Sequence, residues 1–350
     1  MATRITSNSM VRTYLGNMRT NLGGLSRSNE KLSTQRAFNR ASENINDAAR
    51  ALRVRKLMSD NERYNDSASS LAKKLDTADS ALRAMSDLYN DITHLVMQGS
   101  TDTVNQLDRD VIANQIDKLR DEALSIANTK FGNEYVFAAA GNADGSVPFK
   151  VNDQGKLCFN GNETPIDQMV KDANGKIAIN NGDGTTTEIM YNGTNYVDVG
   201  LGLTATCNQC AVRFDEKTVL RSSYSGVEMF GYGTDQNGRP VNFYGLFNEI
   251  SKHMRDGNSA EMITDLESLS FSNDHMLMSL SEIGGDSNFL SDITDQLLED
   301  EVSLKEMQND IESIDIAEEI MYNAQYEMAW TVTLQIGSSL LPQSIFDFLR

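Results

Sequence analysis

Val11-Arg12-Thr13-Tyr14-Leu15-Gly16-Asn17-Met18-Arg19-Thr20-Asn21-Leu22-Gly23-Gly24-Leu25-Ser26-Arg27-Ser28-Asn29-Glu30-Lys31-Leu32 places apolar residues at Val11, Leu15, Met18, Leu22, Leu25 and Leu32. Their spacing is four and three, with Asn29 at the one polar position of the stripe. This is the heptad rhythm of a helix that lies along another helix. A single helix with so narrow an apolar stripe is marginal in water, so the segment requires a partner surface.

The same rhythm returns in Leu71, Leu75, Ala78, Leu82, Met85, Tyr89, Ile92 and Val96, and again in Ile112, Ile116, Leu119, Ala123 and Ile126. Three helices are predicted, joined near residues 36–46 and 99–106. On the carboxyl side the seam reads Leu304, Met307, Ile311, Ile314, Glu318, Met321, Gln325, Met328, Val332 and Gln335, more polar in its distal third. Helix breakers avoid both flanks: 14 of the 24 glycines lie between residues 141 and 240, and the four prolines are Pro148, Pro165, Pro240 and Pro342. Between them stand short apolar pieces, Lys176-Ile177-Ala178-Ile179 and Tyr196-Val197-Asp198-Val199, divided by Asn160-Gly161, Asn181-Gly182, Asp183-Gly184 and Asn192-Gly193. Such steps are hairpin signals. The predicted fold is mainly α with an inserted β-rich domain, its long antiparallel helices from both termini forming a coiled-coil rod.

Charge divides the flanks. Residues 1–60 hold 11 Lys or Arg against 4 Asp or Glu, a net of +7, and residues 261–350 hold 2 against 19, a net of −17. Opposed charge on matching heptads implies that the two arms meet, within a chain or between neighbours. The bulk charge of −19 argues against a nucleic-acid binder and makes acidic protein the partner of the basic arm. No apolar run reaches membrane-span length, and the first 25 residues lack the apolar core of a cleavable signal peptide, so neither a membrane protein nor signal-peptide export is expected.

Chemistry is sparse. Cys207-Asn208-Gln209-Cys210 has half-site spacing, but no second pair exists, Cys158 is the remaining cysteine, and the histidines His94, His253 and His275 lack metalloprotease spacing. No metal, cofactor or structural disulfide is expected. Gly200-Leu201-Gly202-Leu203-Thr204-Ala205 imitates a dinucleotide fingerprint, yet poor helix formers follow it where a helix amino terminus should hold the pyrophosphate. Asn162-Glu163-Thr164 and Asn192-Gly193-Thr194 fit the glycosylation triplet, which arises often by chance. With no nucleophile-base pairing, carboxylate pair or phosphate loop, an enzyme is not expected and no catalytic residue is assigned. Met276, Met278, Met307, Met321 and Met328 read either as core filling or as an adaptable face that accepts different partners, and Trp330 either as packing or as an interface anchor.

The flanks resemble the flagellin family over roughly residues 1–150 and 285–350. Arg4-Ile5-Thr6 before the stripe to Leu32 and Ser33 is similar to the family's opening, and Ala48-Ala49-Arg50-Ala51-Leu52-Arg53-Val54-Arg55 to the start of its second helix. Ile126-Ala127-Asn128-Thr129, then Phe131-Gly132-Asn133-Glu134-Tyr135-Val136-Phe137-Ala138 and Pro148-Phe149, resembles the hook-filament junction (FlgL-type) branch. So does the ending Leu340-Leu341-Pro342-Gln343-Ser344-Ile345-Phe346-Asp347-Phe348-Leu349-Arg350, which filament subunits share. Ser42-Glu43-Asn44-Ile45 departs from the acidic residues and proline usual at that turn.

The resemblance implies a structural protein of the bacterial flagellum, secreted through the flagellar channel. It would be an adaptor joining hook-side junction protein to flagellin, with a filament subunit as the alternative. The implied partners are copies of itself in a ring, hook-side junction protein, flagellin, and a cytoplasmic export chaperone at the carboxyl arm. The domains expected are terminal helical arms at 1–40 and 315–350, disordered in the isolated chain, a helical rod at 41–140 and 245–314, and a variable β-rich outer domain at 141–244. The assembly interface is assigned to Val11, Leu15, Met18, Leu22, Leu25, Leu32, Met321, Met328, Trp330, Val332, Leu340, Leu341, Ile345, Phe346, Phe348 and Leu349.

Overall fold

The computed structural model describes residues 7–101, 104–139, 147–160, 164–171, 177–180, 186–188, 196–198, 219–236 and 238–340. Three helices open the chain: α1 (Ser7–Thr34), α2 (Ile45–Gly99) and α3 (Gln106–Ala127). Short strands follow: β1 (Lys130–Phe131), β2 (Glu134–Tyr135), β3 (Phe149–Val151), β4 (Leu157–Phe159), β5 (Met169–Lys171), β6 (Ile177–Asn180), β7 (Thr186–Glu188), β8 (Tyr196–Asp198) and β9 (Val219–Arg221). The chain returns to helix in α4 (Gly226–Phe230), α5 (Phe243–Asp256), α6 (Ser259–Glu312) and α7 (Ile316–Leu340). The mainly α fold with a β-rich insert read from the sequence is the fold observed. Two compact units divide it, Met1–Asn61 with Glu299–Arg350, and Glu62–Leu298, and α2 and α6 each run through both.

In the unit Glu62–Leu298 all eight apolar residues of the second heptad row, from Leu71 to Val96, are buried. Helix α6 answers with Met262, Leu269, Met276, Ile283, Leu290 and Leu297, one every seventh residue and each no more than 2% exposed. A strict seven-residue repeat keeps one helix face on its partner over many turns. Met276 is thus core, whereas Met278, 73% exposed, is not. Helix α3 is started by Asn105, whose side chain accepts from the Asp108 amide at 2.9 Å, and α5 by Asn242, which accepts from Gly245 at 2.8 Å. Gly257 ends α5 in the left-handed conformation.

The entry to the insert is fastened by an aromatic cluster. Phe149 meets Phe159, Phe230 and Phe243, and Phe243 meets Phe247, in edge-on or tilted contacts 5.0 to 6.4 Å between ring centres. Strands β3 and β4 pair around a tight turn in which the Asn152 side chain accepts from the Gln154 and Lys156 amides. Strands β5, β6 and β7 form an antiparallel meander, and β8 pairs with β9. The Asn181-Gly182 and Asp183-Gly184 steps fall between the paired strands β6 and β7, outside the described residues. Asn192-Gly193, Gly200 to Ala205, Cys207 and Cys210 also lie outside them. Cys158 is buried in β4. Among the described residues no group of three or more metal-ligating side chains converges, and no helix is long and apolar enough to cross a membrane.

Candidate assembly surfaces

In the unit Met1–Asn61 with Glu299–Arg350, α1 and α7 run antiparallel along each other. Their shared seam is small and polar. Asn21 Nδ2 donates to Thr333 Oγ1 at 2.9 Å, Asn323 Nδ2 donates to Asn29 Oδ1 at 2.8 Å, and Lys31 pairs with Glu319 at 3.5 Å. Gly24 lies beneath the ring of Tyr326 and Gly337 beneath that of Tyr14, so each helix lends a glycine to the other's tyrosine. Glycine allows this approach because a β-carbon would occupy the ring's place. The α7 residues that meet α1 are Glu319, Asn323, Tyr326, Thr333 and Gly337, and Trp330 falls on the same heptad spacing.

The apolar stripes read from the sequence lie elsewhere. Met18, Leu25 and Leu32 are half-buried, but Leu15 and Leu22 are 46% and 48% exposed. On α7, Met321, Met328 and Val332 are 59%, 70% and 46% exposed, while Trp330 is half-buried in the seam. Helix α7 also exposes Ile316, Ile320, Leu334 and Ile336, so it is apolar on nearly every side. A helix with that character belongs in an interior. Val11 and Leu340 lie in helices whose side chains there are outside the described set, as are Leu341, Ile345, Phe346, Phe348 and Leu349 altogether.

The carboxyl seam is also interrupted. The sequence reading carried it unbroken from Leu304 to Gln335, but α6 stops at Glu312 and α7 starts at Ile316. Asp315 makes the break, its Oδ1 accepting from the Ala317 and Glu318 amides at 2.9 and 3.1 Å. The legible signal is Asp315 followed by Glu318, an N-cap residue with an acid three places on.

Across that break Glu312 ties three segments together. Its carboxylate faces Arg55 at 2.7 Å and Arg36 at 3.9 Å, and its carbonyl accepts from Ala37 at 2.8 Å. The Arg55 hydrogen bond holds the Glu312 carboxyl below the usual range, with Arg36 adding to it and burial opposing. A depressed carboxylate pKa contributes stability that is present above the unfolded value, about 4.3, and lost as pH falls through the folded one. Acidification from about pH 5 should therefore loosen this tie. Glu312→Gln is expected to flatten that part of the acid limb of thermal unfolding, and an unchanged limb would show that the tie does not contribute.

A second polar cluster, in the unit Glu62–Leu298, was invisible in the sequence. Asp265 is fully buried and Arg239 is 6% exposed. They form an ion pair, to which His253 Nδ1 adds a contact with Asp265 Oδ2 at 3.0 Å and Glu261 a second carboxylate for Arg239. Asp235 accepts from the Arg239 amide at 2.9 Å and from Ser268 Oγ at 2.7 Å. Burial pushes the Asp265 carboxyl up, with His253 and Arg239 opposing. The cluster fastens the 231–242 segment to α5 and α6.

The bacterial flagellin N-terminal helical region matches residues 5–142. A flagellin from Clostridium tyrobutyricum is 30% identical over 125 residues, 36% of this chain and only 33% of that flagellin. Among solved structures, a protein from Vibrio parahaemolyticus described as a flagellar hook-associated protein superposes with a TM-score of 0.58 at 14% identity, covering 77% of this chain and 100% of its own. Bacillus cereus FlgL gives 0.48 at 14% identity, covering 73% and 99%. The chain thus carries a match to the flagellin N-terminal helical region over residues 5–142 and shares its fold with the Vibrio protein.

Proposed function

We propose that the chain is a structural adaptor of the bacterial flagellum, joining hook-side junction protein to the flagellin filament. One observation carries the reading: the terminal helix pair leaves Leu15, Leu22, Met321, Met328 and Val332 exposed and meets along a seam of glycines, polar side chains and tyrosine rings. Exposed leucines and methionines on an otherwise polar protein mark a surface awaiting a partner. Copies of the same chain supply it in a ring, with hook-side junction protein and flagellin on the two sides.

In this reading the arms 1–40 and 315–350 order on assembly, since a seam of glycine, serine and asparagine buries too little apolar surface to stand alone. Assigning the interface to the residues named from the sequence follows, including the undescribed carboxyl ones. Unfolded arms suit export through the flagellar channel to the cell exterior, and a chaperone would cover the carboxyl arm in the cytoplasm. Residues 41–140 and 245–314 form the rod, and 141–244 the outer domain.

The Clostridium relative, a flagellin, favours the second reading of a filament subunit. Likeness to the Vibrio hook-associated protein across the whole of that chain favours the first. Electron microscopy of the purified protein separates them. The adaptor is expected to form no long filaments alone and to add a short layer to flagellin seeds, whereas long filaments from this chain alone would establish the filament subunit.

A further inference from the structure

Helix α1 carries a second face, turned away from α7. Arg12, Leu15, Arg19 and Leu22 recur at spacings of three, four and three, and all four are exposed. Neither arginine has a carboxylate partner among the described residues. Near the end of α6, Glu299, Val302, Glu306 and Asn309 recur at the same spacing and are likewise exposed, with neither glutamate paired among the described residues. One stripe alternates arginine with leucine; the other sets glutamates at the matching positions with Val302 between them.

The two stripes cannot meet within one chain. Thr34, at the end of α1, borders the open cleft that Val302, Glu306 and Asn309 line. Arg19 and Arg12 lie 15 and 22 residues before Thr34 in the same helix, on the order of 22 and 33 Å away at 1.5 Å per residue.

We infer that the Arg12-Leu15-Arg19-Leu22 face of one copy docks on the Glu299-Val302-Glu306 face of a second copy. This rests on the assembly reading above and adds the partner surface and its sense. Because the two faces differ, the contact is heterologous: in a pair one copy keeps a free acidic face and the other a free basic face, and growth proceeds to a closed ring instead of stopping at a dimer. Charge selects the register while Leu15, Leu22 and Val302 supply the apolar contact.

The test uses the full chain and two double variants, Arg12→Glu with Arg19→Glu, and Glu299→Lys with Glu306→Lys, in sedimentation velocity at low salt, where the screening length is about 30 Å. The wild type is expected to self-associate and to need more protein as salt rises. Each double variant alone should need at least about tenfold more protein, since like charges then face each other. The two mixed, or all four changes in one chain, should assemble again because every facing pair is restored to opposite sign. A wild type that stays monomeric at low salt, variants that assemble like it, or a mixture that fails to recover each overturns the proposal. The broader assembly reading fails separately, if a chain lacking residues 315–350 associates as well as the wild type.

Discussion

Replacing Met321 and Met328 by Gln and Val332 by Thr in one chain is expected to leave the dilute, unassembled chain like the wild type and to abolish its assembly. These side chains are 59%, 70% and 46% exposed and touch neither the Tyr326–Gly24 nor the Asn21–Thr333 contact. Exposed substitutions away from special features usually change stability by no more than about 0.5 kcal/mol. In an assembled layer, by contrast, each buried methionine or valine contributes about 1.5–3 kcal/mol. The three together correspond to about a thousandfold or greater rise in the protein concentration needed for assembly.

Trp330 provides the internal check. It is the chain's one tryptophan and sits half-buried on the α1 side of α7, so its fluorescence reports the helix pair and not the substituted face. The expected combination is Trp330 emission equal to the wild type's in the dilute, unassembled chain, with lost sedimentation of large species. Assembly at the wild-type concentration would remove this face from the interface. Altered emission in the dilute chain would instead mean that the stripe serves folding.

How much of this the sequence held can be judged residue by residue. Helix joints expected near 36–46 and 99–106 fall between Thr34 and Ile45 and between Gly99 and Gln106, because long runs of heptad spacing end where polar, helix-poor residues begin. The eight core residues from Leu71 to Val96 were legible for the same reason. The α1 to α7 seam was not, since Gly24, Ser28, Asn21, Thr333 and Gly337 carry no hydrophobic period. Small residues permit approach without announcing it. Ile311 and Ile314 likewise kept the apolar spacing alive across the Asp315 cap and hid the break. The pairing of Arg239 with Asp265 depends on a loop meeting a helix 26 residues later, which no local pattern encodes.

That pairing yields the largest stability effect expected in the unit Glu62–Leu298. Arg239→Met removes the guanidinium beside a fully buried carboxylate while nearly keeping the side chain's bulk, and an uncompensated buried charge costs about 3–5 kcal/mol. The loss should depend on pH. Without Arg239 the burial that already raises Asp265 acts with less opposition, so its folded pKa rises further above the unfolded value of about 3.9. A raised carboxyl pKa gives stability that is full below the unfolded value and lost as pH rises through the folded one, so the deficit is greatest near neutrality and shrinks toward pH 4. Hydrogen exchange of α5 and α6 amides measures this unit apart from the helix pair that Trp330 reports. Adding Asp265→Leu should recover most of the loss, because an apolar replacement of a whole buried pair is often neutral. A deficit below about 1 kcal/mol, or one equal at pH 4 and pH 7, would mean that water reaches Asp265 and that the cluster does not hold the 231–242 segment in place.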